Sequence, residues 1–221
     1  MRLWGIDTSR FSPNDALGFE VFLDEPERHR AARFGAVAYR ATYVLAHASA
    51  RLLLSSMSGV DPGVLALRRT RRGKPFIDPA MNACGIRFSI AHTDGFAAVA
   101  AAFGRDVGVD VEAIDRSVEG ARIAQRHFTP RERRELAELE GEAQHDRFFA
   151  FWTMKEAVLK AAGTGLHTPL DALDVYLAPA RIATRHAALA APGGWSVETF
   201  RPTRRHLVAL AHRPGQAETT C

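Results

Sequence analysis

The stretch from Phe148 to Gly165 limits what this chain can become more than any other. Phe148, Phe151, Trp152, Leu159 and Ala162 recur at helical spacing and mark one apolar stripe. Gly163 supplies a C-terminal stop. Lys155 falls inside the stripe, where a buried ammonium is costly without a partner. Glu156 and Lys160 lie one turn apart beside it. By themselves these residues allow two readings. One is a core helix with a snorkelling lysine and a surface Glu–Lys pair. The other is a helix whose charged edge opens on a functional site.

A second segment narrows the choice. Val107 to Glu112 reads as a strand, so Asp110 and Glu112 share one face while Val109 and Val111 share the other. Two carboxylates on one face of an apolar strand repel, and a hard cation would remove that repulsion. An edge strand with a polar face fits the segment equally well. Upstream, Ile86–Ala91 and Phe96–Phe103 form a strand pair across the Asp94-Gly95 turn.

The remaining chain supplies the frame. Leu3 to Ile6 is a short strand. Ser12-Pro13 opens a helix to about Leu23, and Asp24-Glu25-Pro26 interrupts it. Ala36 to about Ser55 is helical, with Tyr43, Val44, Leu52 and Leu53 able to face a core. Arg33, Arg40 and His47 recur every seventh residue, with Arg51 a turn further on. That cationic line is either a solvated face or an anion site. A dense basic patch of Arg68, Arg69, Arg71, Arg72 and Lys74 follows. Gly73 and Pro75 fix the backbone around Lys74, which makes it a phosphate contact or an exposed loop lysine. Arg116 begins a loop, and Thr129 to Glu132 fits a capping box with Pro130 at the first helical position. Glu132 therefore has a structural explanation of its own. Strands follow near 173–177, 195–200 and 206–211, with a turn at Pro192-Gly193-Gly194. The pattern predicts an α+β protein with halves at 1–104 and 105–213 and a frayed tail at 214–221.

A chain of 221 residues with 47% hydrophobic composition can bury a real core. No apolar run is long enough to span a bilayer, and Met1 to Asp7 lacks the shape of a signal peptide. Two cysteines, Cys84 and Cys221, make neither a disulfide framework nor a metal cluster, so a reducing cytoplasm is the expected compartment. The net charge of +4 suits nucleic acid, anionic lipid, a phosphorylated small molecule or an acidic protein. Glycine-rich phosphate-loop motifs are absent.

Gly108-Val109-Asp110-Val111-Glu112 and the run Phe151 to Lys160 together resemble the two signature motifs of the 4′-phosphopantetheinyl transferases. Order and spacing are similar to the longer, monomeric type that includes the surfactin-synthetase activator. Gly73-Lys74-Pro75 resembles the family's Gly-Lys-Pro element. Phe88 to His92 resembles its Phe-Asn-x-Ser-His element, with Ser89 in place of Asn and Ala91 in place of Ser. Phe128 to Glu132 resembles its Phe-Ser/Thr-x-x-Glu element, and Arg40 falls where the family has a basic helix residue.

The resemblance implies two similar α/β halves related by a pseudo-two-fold axis, with coenzyme A in the cleft between them. It implies that the serine of an apo acyl or peptidyl carrier protein attacks the phosphate bearing pantetheine, with Mg2+ assisting and 3′,5′-ADP released. Asp110, Glu112 and Glu156 are then the metal ligands. Arg33, Arg40, Lys74, Ser89, His92, Lys155 and Lys160 would bind coenzyme A. Lys160 also stabilises developing charge, and Glu132 or Glu156 is the base. A monomer with no nucleic-acid or membrane partner is expected. The rival expectations are a metal-dependent phosphohydrolase using the same carboxylates and a basic nucleic-acid-binding protein.

Overall fold

Two 22-residue helices and two three-stranded sheets repeat in the same order along the chain. The computed structural model describes residues 1–114, 118–190 and 193–214, without the side chain of Leu166. The start of the loop at Arg116, Pro192 of the expected turn and the tail from 215 onward lie outside the described residues.

In the N-terminal half, β1 (Arg2–Asp7) leads to α1 (Pro13–Gly18), α2 (Glu25–Ala32) and α3 (Val37–Ser58). A small hairpin of β2 (Leu67–Arg69) and β3 (Pro75–Ile77) precedes β4 (Ile86–Thr93) and β5 (Phe96–Phe103). The C-terminal half repeats this plan. β6 (Val107–Ala113) is followed by α4 (Gly120–His127), α5 (Pro130–Ala137) and α6 (Gly141–Ala162). Then come the hairpin β7 (Leu173–Leu177) and β8 (Ala180–Thr184), and finally β9 (Ser196–Phe200) and β10 (His206–His212). The sheet orders are β1-β5-β4 and β6-β10-β9, antiparallel throughout. In each sheet the first strand of its half pairs with the last. This is the expected α+β fold of two similar halves related by a pseudo-two-fold axis.

Strand periodicity sorts the core into layers. Ala98, Ala100 and Ala102 of β5 meet Val107, Val109 and Val111 of β6 and Val208 and Leu210 of β10 between the sheets. Val99 and Ala101 turn the other way, onto Leu53, Leu54 and Met57 of α3. Leu207, Ala209 and Ala211 likewise turn onto the α6 side. The order is helix, sheet, sheet, helix. Cys84 lies in the α3 core. Among the described residues no helix is long and apolar enough to cross a membrane.

Several boundaries differ from the sequence reading. The helix expected to reach Leu23 ends at Gly18 and gives way to a 3-10 turn at Phe19–Phe22, and Asp24-Glu25-Pro26 starts the next helix. The Asp24 carboxylate accepts from the Glu27 amide at 2.9 Å, and the Glu27 carboxylate accepts from the Asp24 amide at 3.3 Å. α6 begins at Gly141, two turns before the apolar stripe, because its first turns are polar and leave no periodic signal. β8 was not expected, since the exposed Ala180 and Arg181 break its alternation.

Candidate active site

α6 lies directly on β6 because Gly108 has no side chain. A Cβ built there would meet the Ala157 carbonyl oxygen at 2.1 Å and the Ala161 amide nitrogen at 2.3 Å. Helix backbone thus rests on strand backbone. Glu156 and Lys160, the neighbours of those two alanines, are brought against the polar face of β6. Lys160 Nζ donates to Asp110 Oδ1 at 2.6 Å. Trp152 Nε1 donates to Glu112 Oε1 at 3.1 Å.

The electrostatics follow from that crowding. Burial, then the Asp110 charge, pushes the Glu112 carboxyl up to about 7, and Glu156 adds to the shift. Burial and Asp110 also raise Glu156. Burial would lower Lys160, but Asp110, Glu156 and Glu112 overcome it and raise the ammonium above its usual range. Three carboxylates therefore share one desolvated region with one ammonium. Asp110 Oδ2 is buried and has no hydrogen-bond partner among the described residues. The uncompensated charge and the orphaned oxygen fit a hard divalent cation. The side chains are not drawn into a ready cage: among the described residues no three His, Cys, Asp or Glu groups are gathered closely enough to hold a metal.

Beside this cluster a cavity of about 260 Å³ opens between the halves. Its walls carry Arg30, Arg69, Arg72, Lys74 and Lys160, a surplus of positive charge suited to a polyphosphate, together with His92. Lys74 spans the halves by donating to the Ala161 carbonyl at the end of α6, at 2.5 Å. Burial draws its ammonium below the usual lysine range, against the pull of Asp106 at 3.8 Å. His92 is open to the cleft on one side and enclosed on the other. Loss of solvation, then His47, Lys160 and Arg30, holds its imidazole down at about 4. Ser89 also lines the cavity, but its Oγ accepts from the Val109 amide at 3.1 Å, which ties β4 to the strand carrying Asp110. Ala91 packs in the core between the sheets, so the position where the family has serine does not face the cavity.

The structure corrects four expectations. Lys155 does not reach the cleft. It is fully buried and donates to the Leu170 and Leu173 carbonyls at 2.9 and 2.7 Å, and pairs with Glu132 at 2.7 Å. Glu132 cannot serve as a base there, because it is also fully buried and accepts from the Thr129 and Val175 amides, both at 2.8 Å. Arg40 turns to Glu20 at 2.7 Å. Arg33 does not line the cleft; it is exposed in a neighbouring surface depression that shares Arg30 with it. The seven-residue cationic line is thus mostly spent within the fold, since His47 and Arg51 both pair with Glu27. Sequence reasoning missed the close approach at Gly108 and placed Tyr43 only in the core. The four-residue spacing of Tyr43 and His47 on α3 was the available signal, and both line the cleft.

Comparison with known proteins gives the family. The sequence profile of the 4′-phosphopantetheinyl transferase superfamily matches residues 106–211. The chain is 31% identical to the 4′-phosphopantetheinyl transferase HetI of Nostoc sp. over 189 residues, covering 86% of this chain and 78% of that one. It is 28% identical to the 4′-phosphopantetheinyl transferase Sfp of Bacillus subtilis over 179 residues, covering 80% and 77%. A holo-(acyl-carrier-protein) synthase of Bacillus anthracis, solved in complex with CoA (3′,5′-ADP), superposes with a TM-score of 0.43 at 18% identity, covering 49% of this chain and 94% of that one.

Proposed function

This chain belongs to the 4′-phosphopantetheinyl transferase superfamily, and from that membership we propose that it transfers 4′-phosphopantetheine from coenzyme A to a serine of an apo-carrier protein. The observation that carries the reading is the Lys160–Asp110 contact, flanked by Glu112 and Glu156, at the edge of a cationic cleft. In the reaction the serine oxygen bonds to the phosphorus bearing pantetheine. The bond from that phosphorus to the bridging oxygen breaks, and 3′,5′-ADP leaves. Such a transfer needs alignment and charge neutralisation more than covalent help.

Lys160, Lys74 and His92 are the groups we assign to the diphosphate. The first two bring fixed positive charge, and the neutral imidazole brings a hydrogen bond. Asp110, Glu112 and Glu156 would hold Mg2+, which when bound neutralises phosphate charge. With Glu132 committed to Lys155, Glu156 is the candidate left to accept the serine proton. Ser89 acts through Val109, keeping β6 in place. One chain supplies both walls of the cleft, so we take the monomer as the active unit.

The test is incubation with apo-carrier protein, coenzyme A and Mg2+, followed by intact-mass measurement. The carrier should gain one phosphopantetheine, and a chelator should stop the gain. No gain across fatty-acid, polyketide and peptide carriers would overturn the reading. Nucleotide release without an acceptor would point to hydrolysis.

A further inference from the structure

β4, which carries Ser89 and His92, is tied to the C-terminal half along its length. Near its start Arg87 Nη1 donates to Asp106 Oδ1 at 3.1 Å, and in its middle Ser89 Oγ accepts from the Val109 amide. Beyond its end the tie is an imidazole. His206, the first residue of β10, reaches across to the Asp94-Gly95 turn, where its Nε2 lies 2.8 Å from the Asp94 carbonyl oxygen. His206 is 5% exposed, and its ring tilts on that of Phe96 with centres 5.2 Å apart.

The hydrogen bonds fix the ring as well as the turn. A carbonyl oxygen only accepts, so Nε2 carries the proton. Thr203 Oγ1 accepts from the Arg205 and His206 amides at 3.1 and 3.2 Å and turns its own proton to Nδ1 at 2.8 Å. Both ring nitrogens are thus committed, and His206 does not line the cleft. Arg205 and Asp94 also pair across the same gap at 2.7 Å, but both are more than half exposed, and such a pair holds little. The buried bond is the one that sets the turn.

Asp94 lies two residues beyond His92, so this bond anchors the strand end from which His92 meets the cleft. On the other side His206 pairs with Ala113 of β6, and Leu207 pairs with Glu112. One side chain therefore joins the strand end bearing His92 to the strand bearing Asp110 and Glu112. We infer that His206 is a positioning residue, which sets the place of the His92 imidazole relative to the acidic cluster and so the grip of the cleft on the diphosphate of coenzyme A. The inference rests on the transferase reading, under which His92 donates to that diphosphate. A misplacement of about 1 Å is enough to forfeit much of such an interaction.

The experiment is a double-mutant cycle read by calorimetric binding of coenzyme A and by its KM in transfer. His206→Phe keeps a ring against Phe96 and loses both hydrogen bonds. It should weaken coenzyme A about tenfold, the loss of one hydrogen bond to a charged acceptor, and in a His92→Ala background it should weaken it no further. His206→Gln, whose amide can donate to the Asp94 carbonyl, should restore most of the affinity. Costs that add in the double variant would mean that His206 only supports the fold, and wild-type affinity in His206→Phe would mean that the bond places nothing. Either result overturns the inference. If His206→Phe does not fold, Thr203→Val loosens the hold on the ring more gently, and the same cycle with His92→Ala decides. A wild type that binds coenzyme A but modifies no carrier would overturn the transferase reading, whereas additive costs overturn only the role of His206.

Discussion

Arg51 and Lys155 hold the same place in the two halves: each is the fifteenth residue of its 22-residue helix and is fully buried. Each pairs with the capping-box glutamate of the preceding helix, Glu27 at 2.5 Å and Glu132 at 2.7 Å. Each also donates to two carbonyls spaced three residues apart, those of Pro62 and Leu65 or of Leu170 and Leu173. The cation that looks misplaced in the apolar stripe is therefore a clamp, repeated by the pseudo-symmetry, that fixes the long helix to its neighbours. The halves differ one residue later. Glu156 follows Lys155, whereas Leu52 follows Arg51, and only one half carries the acidic cluster.

Removing one member of the clamp leaves a buried charge unpaired. Glu132→Ala should lower the unfolding free energy by about 3–5 kcal/mol, and Glu27→Ala by a similar amount. Combining Glu132→Leu with Lys155→Met should cost less than the two single changes together. Urea unfolding measures all of these. A loss below about 1 kcal/mol for Glu132→Ala would show that the pair does not carry the clamp.

Gly108→Ala puts a methyl group into helix backbone, which cannot step aside. It should cost at least about 1–3 kcal/mol and lower transfer by moving Glu156 and Lys160 away from Asp110. Gly5→Ala is the control. Its Cβ would meet only the Phe96 ring, at 2.9 Å, and a ring can shift. Equal melting temperatures for the two variants would contradict the close approach.

Asp110→Ala and Glu156→Ala should each reduce phosphopantetheine transfer by roughly 10²–10³-fold or more, with far-ultraviolet circular dichroism unchanged. The fold tolerates these changes because Lys160 is 33% exposed and can regain water. Near-normal turnover in either variant would remove the carboxylates from the mechanism.

His92 gives the free protein a defined pH response. With its pKa held at about 4, below the ordinary histidine value, the unfolded chain binds the extra proton first as pH falls. Its contribution is complete above the unfolded value, near pH 6.5, and is lost as pH drops towards 4. Solvent in the cleft keeps the effect modest. His92→Gln should therefore lose less thermal stability than the wild type between about pH 7 and about pH 5. Parallel declines would show that His92 titrates normally.

Much of this protein was legible in one dimension. The alternation of Ile86–Ala91, the apolar run Phe96–Phe103, the Asp94-Gly95 turn and the Thr129–Glu132 capping box gave strands and a helix start, because those signals are local. Asp110 and Glu112 could be placed on one face, since strand period is fixed. What each charge does was not local. Lys155 and Arg40 carry the same charge as Lys160, yet the fold buries the first among carbonyls and turns the second to Glu20, leaving only the third at the carboxylates. The contact of Gly108 with α6 likewise depends on how β6 and α6 pack within one half. Residue type and spacing fix which face of an element a side chain takes. Only packing decides what stands opposite it, and a buried charge or hydroxyl takes its meaning from that partner.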